Sequence, residues 1–281
     1  NFKTAIFTNF SQDHLDYHKN MKRYLNAKLI LFSKLLKKKN YIITDNEIPE
    51  FLRLKKITKK NDLNLLTIGK KNSTIQLKAV KSSGNFQNII FQYSKKNYVV
   101  KIPLIGLFQI KNLFMSILAA KQSGLDIKQI LNAVKYIKEV NGRLQLIKTT
   151  PNQTKIFIDY AHTPDALETT LKTLKKHYNT KPDVVFGCGG ERDKNKRSRM
   201  ANICEKNAQK IYITDDNPRN ENPQLIRKMI ISGFSKKLAI MEIPSRSKAI
   251  ETAIIKSKPY SIILIAGKGH ETTQTYGKKI I

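Results

Sequence analysis

Four polar clusters in the second half of the chain each follow directly on an apolar, strand-like run. They are Asp159-Tyr160-Ala161-His162, Gly187-Cys188-Gly189-Gly190-Glu191-Arg192-Asp193, Asp215-Asp216-Asn217-Pro218-Arg219 and Gly267-Lys268-Gly269-His270-Glu271. In a parallel α/β sheet, ligands bind beyond the carboxyl ends of the strands, where loops converge on a crevice lined by helix N-termini. One such cluster would be ordinary turn chemistry, since Gly, Asp, Asn and Pro are turn residues. Four in succession point to a built site. A second concentration lies near the start, where Asp13, His14, Asp16 and His18 crowd one loop and Lys28 follows on a helix. His18 reads as a solvated surface residue. His14, with a lysine beside an apolar stripe, suggests a buried polar site, because an unpaired buried ammonium is costly. Burial favours the neutral amine, which can add carbon dioxide and become a carbamate, a carboxylate-like magnesium ligand. The plain alternative is that Lys28 reaches past the stripe to solvent.

The elements that must position these groups follow from hydrophobic periodicity. Thr4–Phe10 reads as a strand, and Met21–Lys38 as a helix with Leu25, Leu29, Phe32 and Leu36 on one stripe. Strands are expected at Tyr41–Thr44 and Leu65–Ile68, with a pair within Phe86–Ile102 around a turn at Ser94-Lys95-Lys96-Asn97, then helices over Gln109–Ser123 and Ile127–Ile137. From Arg143 onward strand and helix alternate, as a parallel sheet requires. The strands are Lys155–Asp159, Asp183–Phe186, Lys210–Thr214, Ala239–Glu242 and Ser261–Ile265. The helices begin after Thr163-Pro164, near Arg197, after Asn222-Pro223 and after Ser245.

A chain of 281 residues with 40% hydrophobic content suffices for two domains with separate cores. No apolar run is long enough to cross a bilayer, and residues 1–10 lack the layout of a secretory signal, so the start reads as a cut. Two cysteines, Cys188 and Cys204, exclude a disulfide scaffold and form no Cys-x-x-Cys pattern, which suits a reducing cytosol. Cys188 reads as a packing residue rather than a catalytic thiol. The net charge of +31 comes from 52 Lys and Arg against 21 Asp and Glu. It permits polyanion binding. The lysines are nevertheless dispersed among abundant Asn and Ile, the mix an A- and T-rich genome imposes, and neither a concentrated basic face nor aromatic stacking partners stand out.

Thr8-Asn9-Phe10, Asp13-His14-Leu15-Asp16 and Tyr24-Leu25-Asn26-Ala27-Lys28 together resemble the central domain of the Mur ligases, ATP-dependent enzymes that extend the peptidoglycan stem peptide. Gly106-Leu107-Phe108-Gln109-Ile110-Lys111-Asn112 is similar to their adenine-side segment. Asn141-Gly142-Arg143 with Asp159-Tyr160-Ala161-His162-Thr163-Pro164-Asp165 is similar to the nucleotide-contacting entry of their C-terminal domain. Gly189-Gly190-Glu191-Arg192-Asp193, Asp216-Asn217-Pro218-Arg219 and Gly267-Lys268-Gly269-His270-Glu271 resemble the branch that adds meso-2,6-diaminopimelate.

The resemblance implies an α/β chain: the later part of a central ATPase domain over 1–142, then a Rossmann-like amino-acid-binding domain over 143–281. It implies ligation of diaminopimelate to UDP-MurNAc-L-Ala-D-Glu through an acyl phosphate, in cytoplasmic peptidoglycan precursor synthesis, by a monomer needing no nucleic acid and no membrane insertion. Lys28 as N6-carboxylysine and His14 would hold Mg2+. Asn112, Arg143, Asp159 and His162 would serve ATP. Arg192, Asp216, Asn217, Pro218, Arg219, Gly267 and Glu271 would bind diaminopimelate, the arginines as forks for carboxylates. Two departures stand out: Gln109 replaces the usual Asn of Phe-Asn-x-x-Asn, and no Gly-x-x-x-x-Gly-Lys-Ser/Thr loop is present. The chain therefore reads as a fragment that would not turn over alone. The rival readings are a lysine-adding relative, a folylpolyglutamate synthetase-like ligase, a non-catalytic polyanion-binding protein and, last, a dinucleotide-binding dehydrogenase domain.

Overall fold

A computed structural model describes residues 2–235 and 240–281. The chain divides into two compact units, one ending at Lys138 and the other beginning at Glu139.

The first unit is built on a six-stranded sheet in the order β1-β2-β3-β4-β5-β6. Its strands are β1 (Phe2–Phe7), β2 (Leu36–Asp45), β3 (Asn64–Gly69), β4 (Ile75–Ser83), β5 (Phe86–Tyr93) and β6 (Lys96–Ile102). β1 to β4 pair in parallel and β4 to β6 antiparallel. Side chains alternate between the faces of a strand, and both faces of this sheet are covered. On β2, Ile42 packs with Leu29, Phe32 and Leu54 on one face. Its neighbour Ile43 packs with Ile110, Phe114 and Ile117 on the other. The covering helices are α2 (Met21–Ile30) and α3 (Phe51–Lys60) on the first face, and α4 (Leu107–Gln122) and α5 (Ile127–Val134) on the second. A single short turn, α1 (Leu15–His18), precedes α2.

The long helix expected to reach Lys38 does not. α2 gives way to a π-helical turn, Leu31–Leu35, and β2 begins at Leu36. The Ser33 hydroxyl bonds back to the Leu29 carbonyl at 2.8 Å, and the Asn61 side chain caps the Ser33 carbonyl at 2.9 Å. Leu29, Phe32 and Leu36 still share one core cluster. The apolar spacing thus identified the buried side chains while the backbone under Leu36 is strand. β1 is likewise shifted toward the N-terminus of the expected Thr4–Phe10. α3 and β4 were not anticipated. α3 had a visible signal in Phe51, Leu54 and Thr58, of which Leu54 and Thr58 are buried.

The second unit carries a sheet in the order β11-β10-β9-β12-β8-β7. It comprises β7 (Gln145–Thr149), β8 (Lys155–Asp159), β9 (Asp183–Phe186), β10 (Ile211–Ile213), β11 (Ile240–Glu242) and β12 (Ile262–Ala266). All are parallel except the edge strand β7, which the repeating strand-helix pattern did not reveal. Ala239, expected in the fourth strand, lies outside the described residues. Helices α6 (Pro164–Tyr178), α7 (Lys196–Asn207), α8 (Pro223–Ile231) and α9 (Arg246–Ile255) connect the strands. Thr163, Asn222 and Ser245 cap three of them, each accepting from a backbone N–H of the first turn, with proline opening two. A small hairpin, β13 (Thr275–Tyr276) and β14 (Lys279–Ile280), closes the unit. No helix among the described residues is long and apolar enough to cross a membrane.

Leu54 is fully buried on α3, whereas Leu52 is 69% exposed. Leu54→Ala is therefore expected to lower the urea-unfolding free energy by about 2–5 kcal/mol, and Leu52→Ala by less than about 0.5 kcal/mol.

Candidate amino-acid and nucleotide site

β8, β12, β9 and β10 are consecutive in the sheet and parallel, so the four polar clusters emerge side by side at its carboxyl edge. Glycine permits their approach. A Cβ at Gly190 would fall 1.8 Å from the Pro218 carbonyl oxygen, one at Gly187 2.2 Å from that of Thr214, and one at Gly267 2.9 Å from Asp216 Oδ2. Gly190 N–H also donates to the Asn217 carbonyl at 2.9 Å, joining the loop after β9 to the loop after β10.

The half-buried Arg219 is fixed through its backbone and its side chain. Its guanidinium Nη1 donates to the Gly190 carbonyl at 2.7 Å, and its backbone pairs with Thr275 and Gly277 of the terminal hairpin. Asn217, Lys268 and Glu271 form a closed polar triangle. Lys268 Nζ reaches Glu271 Oε2 at 2.8 Å and Asn217 Oδ1 at 3.1 Å, and Asn217 Nδ2 donates to Glu271 Oε2 at 3.2 Å. Burial pushes the Glu271 carboxyl up. The hydrogen bond and charge of Lys268, with hydrogen bonds from Asn217 and Tyr160, outweigh that and hold it below the ordinary carboxylate range. Asp216 accepts from Asn217 N–H at 2.8 Å, and the buried Pro218 lends its carbonyl to the contact with Gly190. Arg192 stands exposed, with Nη1 on the Glu191 carbonyl at 3.3 Å.

Ion pairs behind the loops hold them in place. Arg227 clasps Asp215 and also reaches Glu242 at 2.7 Å, and the Tyr276 hydroxyl donates to the other Asp215 oxygen at 3.0 Å. The fully buried Arg197 pairs with Glu221 and touches the Gly189 carbonyl at 3.3 Å. Arg246 is buried on α9 and donates to the Ala266 carbonyl at 2.8 Å. Burial pulls the Arg246 guanidinium down in pKa, against the opposing fields of Asp216, Glu271 and Tyr276. Lys268, Arg197, Arg227 and Arg246 were not singled out from sequence, because their role depends on burial that composition does not report.

At the end of β8, the buried Asp159 accepts from the backbone N–H of Leu144 at 2.6 Å and of Ala161 at 2.8 Å, and from the Thr170 hydroxyl at 3.3 Å. Burial raises its pKa despite those donors and the charge of Arg143. The carboxylate thus fastens the turn that carries Arg143 to the end of β8. Arg143 lies over the Tyr160 ring, and His162 Nδ1 is 2.8 Å from the Tyr160 carbonyl. Cys188 is buried, 3.7 Å from Met200 sulfur, and burial pushes its thiol up to about 12, which fits packing and not nucleophilic chemistry.

The first unit corrects one expectation. Lys28 and His14 do not form a buried polar site, because both are exposed. They do meet around one ring: Lys28 Nζ lies 5.1 Å from the Tyr24 centroid and the His14 ring 5.7 Å from it. The stripe of α2 passes through Leu25 and Leu29, and Lys28 points off it. An ammonium has no lone pair and a single imidazole is one donor, so the pair as it stands does not make a magnesium site. No group of three or more His, Cys, Asp or Glu among the described residues could hold a metal ion. Asn112 is exposed on α4, while Gln109 is buried and faces the core. Beside them, Lys111 bonds to the buried Asp45 and to Glu47 at 3.2 Å.

The chain holds two α/β units, the second with four polar loops at its sheet edge, and it belongs to the Mur ligase family. The Mur ligase middle domain matches residues 1–120, and the Mur ligase glutamate ligase domain matches residues 142–269. The chain is 43% identical over 277 residues to the UDP-N-acetylmuramoyl-L-alanyl-D-glutamate--2,6-diaminopimelate ligase of Rickettsia montanensis, covering 98% of this chain and 57% of that protein. It is similar to a solved structure of a ligase of the same name, with a TM-score of 0.62 and 31% identity over 99% of this chain and 57% of the other. The folylpolyglutamate synthase of Mycobacterium tuberculosis shares the fold, with a TM-score of 0.77 at 18% identity over 94% of this chain and 61% of the other. The chain spans a little over half the length of the curated relatives it matches.

Gly190→Ala is expected to cost roughly 3 kcal/mol in urea unfolding, since the Pro218 backbone cannot yield as a flexible side chain would. By carboxylate NMR, Glu271 should titrate below the ordinary glutamate range, held there by Lys268. Such a group contributes stability at neutral pH that is lost as pH falls through its folded midpoint. Lys268→Met should raise that midpoint and flatten the acid-range loss.

Proposed function

We propose that the full-length protein is a cytoplasmic ligase that uses ATP to join meso-2,6-diaminopimelate to the D-glutamate γ-carboxylate of UDP-MurNAc-L-Ala-D-Glu. The observation that carries this reading is Arg219, anchored between two strand-end loops beside the Asn217, Lys268 and Glu271 triangle. Diaminopimelate differs from lysine by a second carboxylate, and a guanidinium is the side chain best shaped to take one through two parallel hydrogen bonds. Arg219 and Arg192 are assigned the carboxylates. Glu271, Asn217 and the Gly267 backbone are assigned the ammonium end, with Asp216 and Pro218 shaping the loop.

In this reaction the carboxylate takes the γ-phosphoryl group of ATP and ADP leaves; the neutral amine then attacks the acyl carbon, and the tetrahedral adduct collapses to amide and inorganic phosphate, the amine losing its proton. The site's part is to hold the amine in line and to balance charge. Arg143 is assigned to the phosphates and Asn112 to the adenine. His162 is assigned to nucleotide orientation. For Asp159 we assign the ribose side, acting chiefly by holding the Leu144 turn. Magnesium, with the phosphates, would take an oxygen of carbamylated Lys28, with His14 beside it; the carbamate supplies the oxygen donor that the ammonium lacks.

In the full-length enzyme, Arg219→Ala is expected to raise the KM for diaminopimelate roughly 10- to 100-fold with little change in the KM for ATP. Equal losses on both substrates would sink the recognition role. Lys28→Ala should lower kcat, with partial rescue by small carboxylates. A 13C carbamate resonance seen with labelled bicarbonate should vanish in that variant; an unaltered rate and spectrum would remove the carbamate.

A further inference from the structure

The backbone of Arg219 is left-handed, with φ 52°, a region that is costly for a residue bearing a Cβ and persists only where the surroundings enforce it. The segment that forms β13 enforces it. Arg219 N–H donates to the Thr275 carbonyl at 3.0 Å, and Gly277 N–H donates to the Arg219 carbonyl at 2.7 Å, so the arginine is paired in both directions, as a parallel bridge opposite Tyr276. Side chains extend the seam. Gln274 Nε2 donates to the Asp216 carbonyl at 2.6 Å and to the Asp215 carbonyl at 3.2 Å. Thr275 N–H donates to Asn217 Oδ1 at 3.0 Å, and the Tyr276 hydroxyl donates to Asp215 Oδ2 at 3.0 Å. Gln274 is itself fixed by β14, its N–H donating to the Ile281 carbonyl at 2.7 Å and its carbonyl accepting from Ile281 N–H at 2.9 Å. Residues 274–277 thus lie as a strap along the loop from Asp215 to Arg219.

We propose that Gln274 is a positioning residue for diaminopimelate recognition, tying the Asp215 and Asp216 carbonyls to the strap so that Arg219 keeps the strained conformation in which its guanidinium is presented. This rests on the function proposed above and adds to it a residue that acts through Arg219. Both carbonyls lie in the open stretch between β10 and α8, where neither sheet nor helix supplies a regular donor. A carboxamide nitrogen carries two N–H groups and can serve both at once. The bonds at Arg219 itself are made by main chain, so Gln274 is the side chain through which the seam can be loosened while Arg219 is left in place.

The test is steady-state kinetics of the full-length enzyme with Gln274→Met, which keeps the length of the side chain and removes both donors. The KM for diaminopimelate is expected to rise about tenfold, the scale of two neutral hydrogen bonds. The KM for ATP should stay within about twofold, since the groups assigned to ATP lie on other segments. Added to Arg219→Ala, Gln274→Met should raise the KM for diaminopimelate by no more than about twofold beyond Arg219→Ala alone, because residues acting as one unit are not additive. A diaminopimelate KM that is unchanged, that rises in step with the KM for ATP, or that multiplies in the double variant overturns the proposal. If Gln274→Met does not fold, Tyr276→Phe decides: it removes the strap's bond to Asp215 and should give the same selective rise. A wild-type enzyme that does not use diaminopimelate at all would instead overturn the activity reading, and this inference with it.

Discussion

The backbone contact between Gly190 and Pro218 is the constraint on which the second unit's site depends. Parallel strands deliver loops to one edge at the spacing of the sheet, and helices returning on both faces leave little width for what those loops carry. Loops after adjacent strands must then touch through their main chains. Where the Gly190 nitrogen bonds the Asn217 carbonyl and no Cβ intervenes, two loops become one rigid floor. Arg219 extends from that floor with its guanidinium already oriented by the Gly190 carbonyl.

Charge is arranged around the floor in two layers. Outside, Arg227 with Asp215 and Glu242, and Arg197 with Glu221, are internal pairs. Such pairs contribute little net stability once desolvation is counted, but removing one member leaves a buried charge without a counterion. They therefore fix loop geometry more than they raise the folding free energy. Inside, Lys268, Asn217 and Glu271 satisfy one another, leaving the carboxylate ionised at neutral pH. The charges of these groups are thus set, and their positions limited, by the fold itself.

The first unit shows the opposite economy. Its sheet is sandwiched by helices and its core is continuous through Ile43, Phe91 and Phe114, yet His14 and Lys28, the residues proposed for its site, are at the surface around Tyr24. A lysine next to an apolar stripe on paper sits about 100° from its neighbour on a helix, so adjacency in sequence did not imply adjacency to the core. The helix also ends earlier than its apolar spacing suggests. Leu36 keeps the spacing of the stripe but reaches the core from β2 after a π-helical turn.

What the sequence by itself determined was the order of strand and helix in the second unit, the capping residues Thr163, Asn222 and Ser245, and the four clusters at the strand ends. Those signals are local: periodicity, turn chemistry and caps act over a few residues. The motifs also carry the resemblance to the Mur ligase family. Only the tertiary structure decided that β12 inserts between β8 and β9, bringing Glu271 to Tyr160 and Asn217. It alone decided that Asp159 is turned inward onto the Leu144 backbone and that Lys28 faces solvent. Strand order, burial and side-chain partnership are non-local quantities, fixed by which apolar faces pack together. No window of sequence carries them.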